Sequence, residues 1–258
     1  MQGYRHLFFI TIPQVHYVQR AIPDIHFTEF VKNSRGERNV SPKHIKHLCV
    51  VGFLMGFEYS FSAIGAVIMQ SAINMLGSVA VAGQTAGEKI RQMFTLPMDS
   101  VGMGMATYAG QNDGANRPDR IKQGIKAGLV IQWTYCIAAW IIISLGKGAF
   151  TELVLGTQES PEAMLSIEYL TIISVLFFLH GALMIFRNTL QGMGYSVQAV
   201  ISGIGELVGR TVGAALAVCG GGFLAICYSN PLAWGCALVY CGVMVRYYLK
   251  KRYCRKQV

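Results

Sequence analysis

Six long apolar stretches, joined by short polar connections, constrain this 258-residue chain more than any other feature. A helix needs about 20 largely apolar residues to cross a hydrocarbon core about 30 Å thick. We predict membrane-spanning helices over residues 48–73, 81–108, 125–145, 164–186, 197–218 and 223–249. Pro97 and Pro231 lie inside the second and sixth of these and predict kinks, with a hinge role left open. The sequence therefore predicts an all-α membrane protein with six transmembrane helices.

The charge of the chain is small in amount and uneven in distribution. Only 14% of the residues are charged, against roughly 25% in a soluble domain, and the net charge is +9. A nucleic-acid-binding domain would spread this charge over one face, whereas here it clusters between apolar runs, so we expect membrane lipid around the chain and no nucleic acid. Most of the basic residues fall in the connections on one side of the predicted bilayer: Lys32, Arg35, Arg38, Lys43, Lys46, Arg117, Arg120, Lys122, Lys126, Arg187, Arg246, Lys250, Lys251, Arg252, Arg255 and Lys256. The other side holds Lys89, Arg91 and Lys147, so the positive-inside rule predicts a multi-pass protein of the cell (plasma or inner) membrane with both termini in the cytoplasm.

Three regions follow from this pattern. Residues 1–46 are predicted to be a cytoplasmic linker that could hold the remnant of a preceding helix, residues 47–250 a six-helix transmembrane lobe, and residues 251–258 a basic cytoplasmic tail. The seven cysteines are odd in number and form no CxxC, which favours small buried apolar residues over disulfides or a zinc site. No enzyme motif is present, so we expect no enzyme, no metal and no cofactor.

Polar side chains inside the predicted spans are candidates for function, because burying them in lipid is costly. Glu58 shares a helical face with Ser62 and could bind and release a proton or a cation, or could be a neutral acid bonded to a neighbouring helix. Gln70 and Asn74 either line a substrate cavity or bond to the next helix. Asp99 either lines a hydrated cleft or is satisfied by Ser100 or by carbonyls freed at the proline kink.

The fifth span combines a charged pair with a stripe of small residues. Glu206 and Arg210 are four residues apart, which favours an intramembrane ion pair that acts as a structural clamp over a role in coupling. Gly205, Gly209 and Gly213 form a tandem small-xxx-small pattern, which predicts close approach to another helix rather than a ligand site.

Several motifs in order along the chain resemble the multidrug and toxic compound extrusion (MATE) family. The segment MATYAGQNDGANRPDRI at 105–121 is similar to the GQNxGA…R loop of that family, and FRNTLQGMG at 186–194 is similar to its RxxLQGxG segment. ELVGR at 206–210, NPLAW at 230–234 and residues 70–90 also resemble the family at the corresponding distances. The resemblance covers residues 40–250 and matches the second of the two lobes of these transporters.

The resemblance implies two six-helix lobes around a cleft that opens alternately to each side. It implies cation-coupled antiport, in which cationic drugs or other xenobiotics leave in exchange for Na⁺ or H⁺. Glu58 and Asp99 would then be the charged groups, with Ser62, Gln70 and Asn74 as further candidates. Family members with a cation-binding glutamate on this first helix carry it nearest the position of Ser62, and Glu58 lies one turn earlier.

Three further expectations depend on this resemblance. A single lobe needs a second one, supplied by another chain or by a self-dimer, because alternating access requires two bodies around one site. A lipid-linked oligosaccharide flippase of the same superfamily is an alternative, but it favours a cleft with several arginines, and Arg210 is the arginine that the sequence places inside the membrane, with Arg187 at its cytoplasmic edge. The other alternative is a truncated membrane fragment that does not transport.

Overall fold

A computed structural model of the chain describes residues 42–256. The chain divides into two compact units after Val50. The first is described only by residues 42–50, which are helical, and the rest of the fold belongs to the second. The predicted linker, residues 1–46, lies outside the described residues except for its last five, and so do residues 257–258 of the predicted tail.

The described residues fold into seven α-helices and one short π-helical segment, without a β-strand. The helices are α1 (Pro42–Asn74), α2 (Ser78–Gly114), α3 (Pro118–Leu155), α4 (Pro161–Val175), α5 (Phe177–Gly192), α6 (Ser196–Leu216) and α7 (Gly222–Lys256), and the π-helical segment is Ala217–Gly221. Because α4 and α5 follow each other as one bent pair, the elements correspond to the six predicted spans. The all-α, six-span prediction is confirmed.

Proline, serine and glycine set the helix ends that connect α3 and α4. Gly156 ends α3 with a left-handed backbone (φ 79°) that side chains disfavour. Pro161 occupies the first position of α4, where a missing N–H costs nothing. The Ser160 hydroxyl accepts a hydrogen bond from the Ala163 N–H at 3.2 Å, which caps α4. The helices therefore extend several residues beyond the apolar stretches that predicted them.

Three stretches of the described chain are long and apolar enough to cross a membrane, namely 52–74, 118–155 and 196–252, and the bent pair α4–α5 makes a fourth. The 57-residue stretch contains two helices, since Gly220 breaks it with a non-helical backbone (φ 114°). The remaining helix, α2, is less apolar because Glu88, Lys89, Arg91 and Asp99 lie along it. The charges of α2 therefore point to a hydrated face.

The bend between α4 and α5 was not predicted. The two helices meet at Leu176 with an angle of 51°, and neither proline nor glycine lies at the break. Just before it, the Thr171 hydroxyl donates to the Ile167 carbonyl at 2.7 Å and the Ser174 hydroxyl to the Thr171 carbonyl at 3.4 Å. Hydroxyl bonds to the backbone of the same helix favour bending, which accounts for a break that apolar content alone does not reveal.

Helices α6 and α7 pack against each other in antiparallel fashion through small residues. A Cβ added to Gly205 would have Ala237 as its nearest neighbour, one on Gly209 would have Ala233, and one on Gly213 would have Ser229. The contacting residue numbers on α7 decrease as those on α6 increase, so the two helices are antiparallel. At Gly209 the added carbon would lie 2.5 Å from the Ala233 Cα. The predicted packing role of the small-xxx-small stripe is confirmed.

Polar groups of α3 bond to the backbone of α2 on both sides of Pro97. The Tyr135 hydroxyl donates to the Phe94 carbonyl at 3.0 Å, and the fully buried Gln132 donates its Nε2 to the Met98 carbonyl at 2.8 Å. Neighbouring helices can satisfy backbone groups near an intramembrane proline in this way. Pro97 is therefore held within a packed α2–α3 contact.

Candidate functional site

Two adjoining cavities of about 420 Å³ and about 580 Å³ form one cleft between α1, α2 and the helices that follow the bend. Both are lined by residues of α1, α2 and α6: Tyr59, Ser62, Arg91, Gln92 and Arg210. The smaller cavity extends toward α5. The larger one extends toward the first turns of both α2 and α7. We call this space the charged cleft.

Four charged side chains follow one another along the wall of the charged cleft, with Arg187 and Glu206 buried and Glu58 and Arg210 half-buried. Glu58 of α1 lies 3.3 Å from Arg187 of α5, measured from Oε1 to Nη1. Arg187 also contacts Glu206 of α6, and the second carboxylate oxygen of Glu206 lies 3.5 Å from Arg210 Nη2. Because acid and base alternate, each charge has an opposite neighbour, which offsets much of the cost of removing them from water.

Helix α1 presents one face to this network. Glu58 Oε2 accepts a hydrogen bond from Gln191 Nε2 at 2.7 Å. Arg210 Nη1 donates to both oxygens of Ser62, at 2.8 Å to the carbonyl and 3.0 Å to the hydroxyl. Gly65 leaves room for this guanidinium, since a Cβ there would lie 3.0 Å from the Arg210 Cδ. The shared helical face predicted from the sequence therefore turns toward the cleft.

Two arginines lie elsewhere than the sequence predicted. Arg187 was placed at the cytoplasmic edge, but α5 continues to Gly192 and the Arg187 side chain is buried, with its Nε donating to the Ser202 hydroxyl at 3.1 Å. Arg91 was counted with the charge of the opposite side although it falls inside the predicted span 81–108; it lies within α2 and lines the cleft. Three arginines, rather than Arg210 alone, therefore line the charged cleft.

Arg91 belongs to a second polar network that joins α2 to α4 and α7. Its Nε donates to Glu88 Oε2 at 2.8 Å, and that same carboxylate oxygen accepts from the Tyr169 hydroxyl at 2.6 Å. The Asn230 amide donates to the Tyr169 oxygen at 3.3 Å. Tyr169 is fully buried, so its hydroxyl is satisfied entirely by protein groups and holds three helices in register.

Asp99 faces the cleft and pairs with a histidine of α5. Its Oδ1 lies 3.2 Å from His180 Nε2, and the His180 ring lies 4.8 Å from that of Trp234, centroid to centroid. Ser100, one of its expected partners, donates instead to the Leu96 carbonyl at 3.1 Å. The Asp99 side chain is 46% exposed, so its carboxylate remains open to the cleft.

Gln70 and Asn74 bond to each other rather than to another helix. Gln70 Nε2 donates to Asn74 Oδ1 at 3.0 Å, and both residues are exposed. Gln70 lines the larger cavity, whereas Asn74 lines neither of the two. Of this predicted pair, the structure brings Gln70 alone to the charged cleft.

Large apolar side chains line the same cavity as Asp99 and form the mouth of the cleft. Met55 and Tyr59 of α1 face Leu96 and Met103 of α2, and all four are exposed, Tyr59 to 73%. Thioether and aromatic groups adapt to apolar ligands of varied shape. The cleft thus combines an open carboxylate with an adaptable apolar wall, and among the described residues no cluster of histidine, cysteine, aspartate or glutamate could hold a metal ion.

Several cleft residues of α5 were missed, although the sequence contains their pattern. His180, Met184, Arg187 and Gln191 recur at steps of four, three and four residues and all line the cleft. This is the spacing of one face of a helix. They were missed because the apolar content of a span averages over all faces of the helix. A search of the fourth predicted span for polar residues along one face would have found them.

A bundle of membrane-spanning helices that encloses a cleft of paired charges and apolar side chains defines the class as a lobe of a helical membrane transporter. The sequence matches the family model MatE over residues 55–216, and the chain belongs to this family, whose members are transporters rather than enzymes. A search of curated proteins gave no match.

Solved structures show the same fold at low sequence identity. The structure described as MATE in the bent conformation matches with a TM-score of 0.78 and 14% identity, covering 87% of this chain and 50% of that one. The structure of MATE in complex with MaL6 matches with a TM-score of 0.76 and 14% identity, covering 85% of this chain and 50% of that one. A transporter of the MOP superfamily from Pyrococcus furiosus matches with a TM-score of 0.69 and 14% identity, covering 79% of this chain and 44% of that one. Its description states that the reversed polarity of its binding pocket suggests a different function. The chain thus spans about half the length of the transporters it matches.

Proposed function

We propose that this chain is one lobe of a cation-coupled antiporter that exports cationic, amphipathic drugs and other xenobiotics in exchange for Na⁺ or H⁺. The observation that carries the proposal is the open Asp99 carboxylate, 46% exposed within an apolar wall. The basic connections predict that both termini lie in the cytoplasm, so the basic residues 246–256 lie on the inner side of the membrane.

The mouth of the cleft fits an amphipathic cation. Among the described residues of the cleft, Asp99 is the carboxylate that forms no ion pair with arginine or lysine, so a ligand cation can approach it without displacing a guanidinium. Met55, Met103 and Tyr59 offer exposed apolar and aromatic area beside it. Aromatic faces attract organic cations, and thioethers adjust to ligand shape.

Glu58 supplies the coupling group in this proposal. It lies at the end of the charged chain, held by Arg187 and Gln191. Binding of Na⁺ or H⁺ at Glu58 competes with Arg187, which then retains Glu206. A ligand changes the balance between two facing states only by binding them with different affinity, so the coupling ion and the drug must each favour a different state.

A second lobe completes the transporter, from another chain or from a second copy of this one. Alternating access requires two bodies that move around a shared site. The exposed Tyr59 and Asp99, and the length match to about half of the related structures, support this requirement. Without such a partner the chain would be a membrane fragment that does not transport.

One alternative is a flippase for lipid-linked oligosaccharides, which favours a cleft with several arginines. The structure supports it more than the sequence did, because three arginines line the cleft instead of Arg210 alone. Each of them, however, already faces a carboxylate: Arg91 faces Glu88, and Arg187 and Arg210 share Glu206. An anionic ligand would have to displace these carboxylates. The cation exporter therefore remains the better-supported function.

The test is efflux of a fluorescent organic cation from cells and from proteoliposomes that carry an imposed Na⁺ or H⁺ gradient. We expect Glu58→Gln to abolish gradient-dependent efflux, and Asp99→Asn to weaken drug binding. Glu168→Gln is the matched control, because Glu168 is an exposed carboxylate of α4 outside the charged cleft. Unchanged drug resistance in the Glu58→Gln variant would refute the coupling role. A wild-type chain that moves no cation under either gradient even when its second lobe is present would refute the function.

A further inference from the structure

A separate groove lies on a face of α2 that is largely opposite to the charged cleft. It has a volume of about 360 Å³ and is lined by α2 and α3, with Ile185 of α5 at its floor. Gly104 of α2 and Ala127 and Ile131 of α3 are exposed along it, and a Cβ on Gly104 would meet nothing within 4 Å. In a chain that crosses a bilayer, an outward apolar groove of this kind opens to hydrocarbon.

One end of the groove reaches the connection between α2 and α3, where positive charge is concentrated. The hydroxyl of Tyr108, which lines the groove, donates to the carbonyl of Arg120 at 3.2 Å. Arg120 lies one helical turn before Gly124, another lining residue, and therefore on the same face of α3. Arg117 lies at the start of α3, and both arginine side chains are exposed.

Two acids lie near these arginines in the sequence, and together they leave the end of the groove positive. Asp119, between Arg117 and Arg120 at the start of α3, carries one negative charge against their two positive ones. Asp113, close to the end of α2, is paired with Arg252 of α7 at 2.7 Å from Oδ2 to Nη2. The groove thus has an apolar body and a cationic end at the level where a helix leaves the membrane. These two properties complement an acyl chain and an anionic phosphate respectively.

We propose that this groove binds one anionic phospholipid, with an acyl chain between α2 and α3 and the phosphate at Arg117 and Arg120. Guanidinium groups suit a phosphate because they can donate two parallel hydrogen bonds to it. The site is distinct from the charged cleft and does not depend on the proposed function. Its ligand would remain bound whichever substrate the cleft accepts.

The test uses the full chain purified in detergent and titrated with dioleoyl-phosphatidylglycerol or dioleoyl-phosphatidylcholine. Lipids retained per chain are counted by native mass spectrometry. We expect phosphatidylglycerol to be retained in preference to phosphatidylcholine, and Arg120→Gln to weaken its binding about fivefold. Gly104→Leu should weaken it as well, because the new side chain starts from a Cβ in open groove space and takes up room that the acyl chain needs.

Lys122→Gln is the matched control, since it removes the same charge from an exposed position on the other side of α3. An equal loss in the Lys122 and Arg120 variants would overturn the proposal in favour of diffuse surface charge. Equal retention of the two lipids would overturn the role of the headgroup. If inorganic phosphate alone competed fully and Gly104→Leu had no effect, the site would bind free phosphate and the lipid proposal would be wrong.

Discussion

Replacing Gly209 by alanine tests the α6–α7 contact that holds the charged cleft together. In an isolated helix this substitution stabilises the helical state by about 1 kcal/mol, because alanine loses less backbone entropy than glycine when the helix forms. In the folded protein the new Cβ would lie 2.5 Å from the Ala233 Cα and 2.8 Å from its N. Both are backbone atoms, so no side-chain rotation can relieve the overlap.

The structure gives the size of the expected effect. Carbon atoms in ordinary contact are about 3.5–4.0 Å apart, so α6 and α7 must separate locally by about 1 Å. Overpacking of this kind costs about 1–3 kcal/mol, which exceeds the gain in helix propensity at the upper part of that range. Gly205→Ala is the control on the same helix face, because its Cβ would find its nearest neighbour, Ala237, at 3.9 Å.

The assay follows unfolding with a fluorogenic thiol reagent in detergent. Cys136, Cys227 and Cys241 are fully buried and should react only when the protein unfolds. We expect Gly209→Ala to unfold several degrees below Gly205→Ala, and a second substitution of Ala233 by glycine not to restore it, since the overlap involves backbone atoms. Equal unfolding temperatures for the two alanine variants would refute the packing argument.

Three further predictions concern the buried networks and the orientation of the chain. Glu206→Gln leaves Arg187 and Arg210 without their shared carboxylate and should cost about 3–5 kcal/mol, more than Glu58→Gln. Equal unfolding temperatures of these two variants in the thiol assay would contradict this. Tyr169→Phe removes the hydroxyl that donates to Glu88 and should cost about 1–3 kcal/mol by the same assay, whereas an unchanged unfolding temperature would mean that the hydrogen bond contributes nothing. In a variant whose one cysteine is Cys219, exposed in the π-helical segment, a membrane-impermeant maleimide should label intact cells from outside; labelling only after the cells are opened would reverse the predicted orientation.

The sequence was sufficient for the six-span fold, because each element is specified locally. An apolar stretch of sufficient length defines a span wherever it packs. The stripe of Gly205, Gly209 and Gly213 likewise indicated a close helix contact, because small residues leave space only where something fills it. The bend at Leu176 escaped prediction, since the stretch around it stays apolar and its cause lies in hydrogen bonds of single hydroxyl groups.

The charged cleft was predicted in part only, because its contacts join distant parts of the chain. Glu58 and Asp99 were recognised as costly residues inside spans, but their partners Arg187 and His180 lie far along the sequence. Nothing in one sequence states which helices face each other. Arg187 was also misplaced by hydropathy, which marks where an apolar run ends and not where a long side chain points.

The order of charges along the cleft bears on which carboxylate can exchange a cation. Glu206 contacts two arginines, so neutralising it would leave both without a full partner. Glu58 contacts Arg187 alone among the arginines, and Arg187 keeps Glu206 when Glu58 takes up a proton or a metal cation. Removing one partner of a buried pair is expensive mainly because of the charge left unpaired, and at Glu58 that charge remains paired. The terminal position of Glu58 in the chain, rather than burial alone, therefore makes it the carboxylate best suited to reversible cation binding.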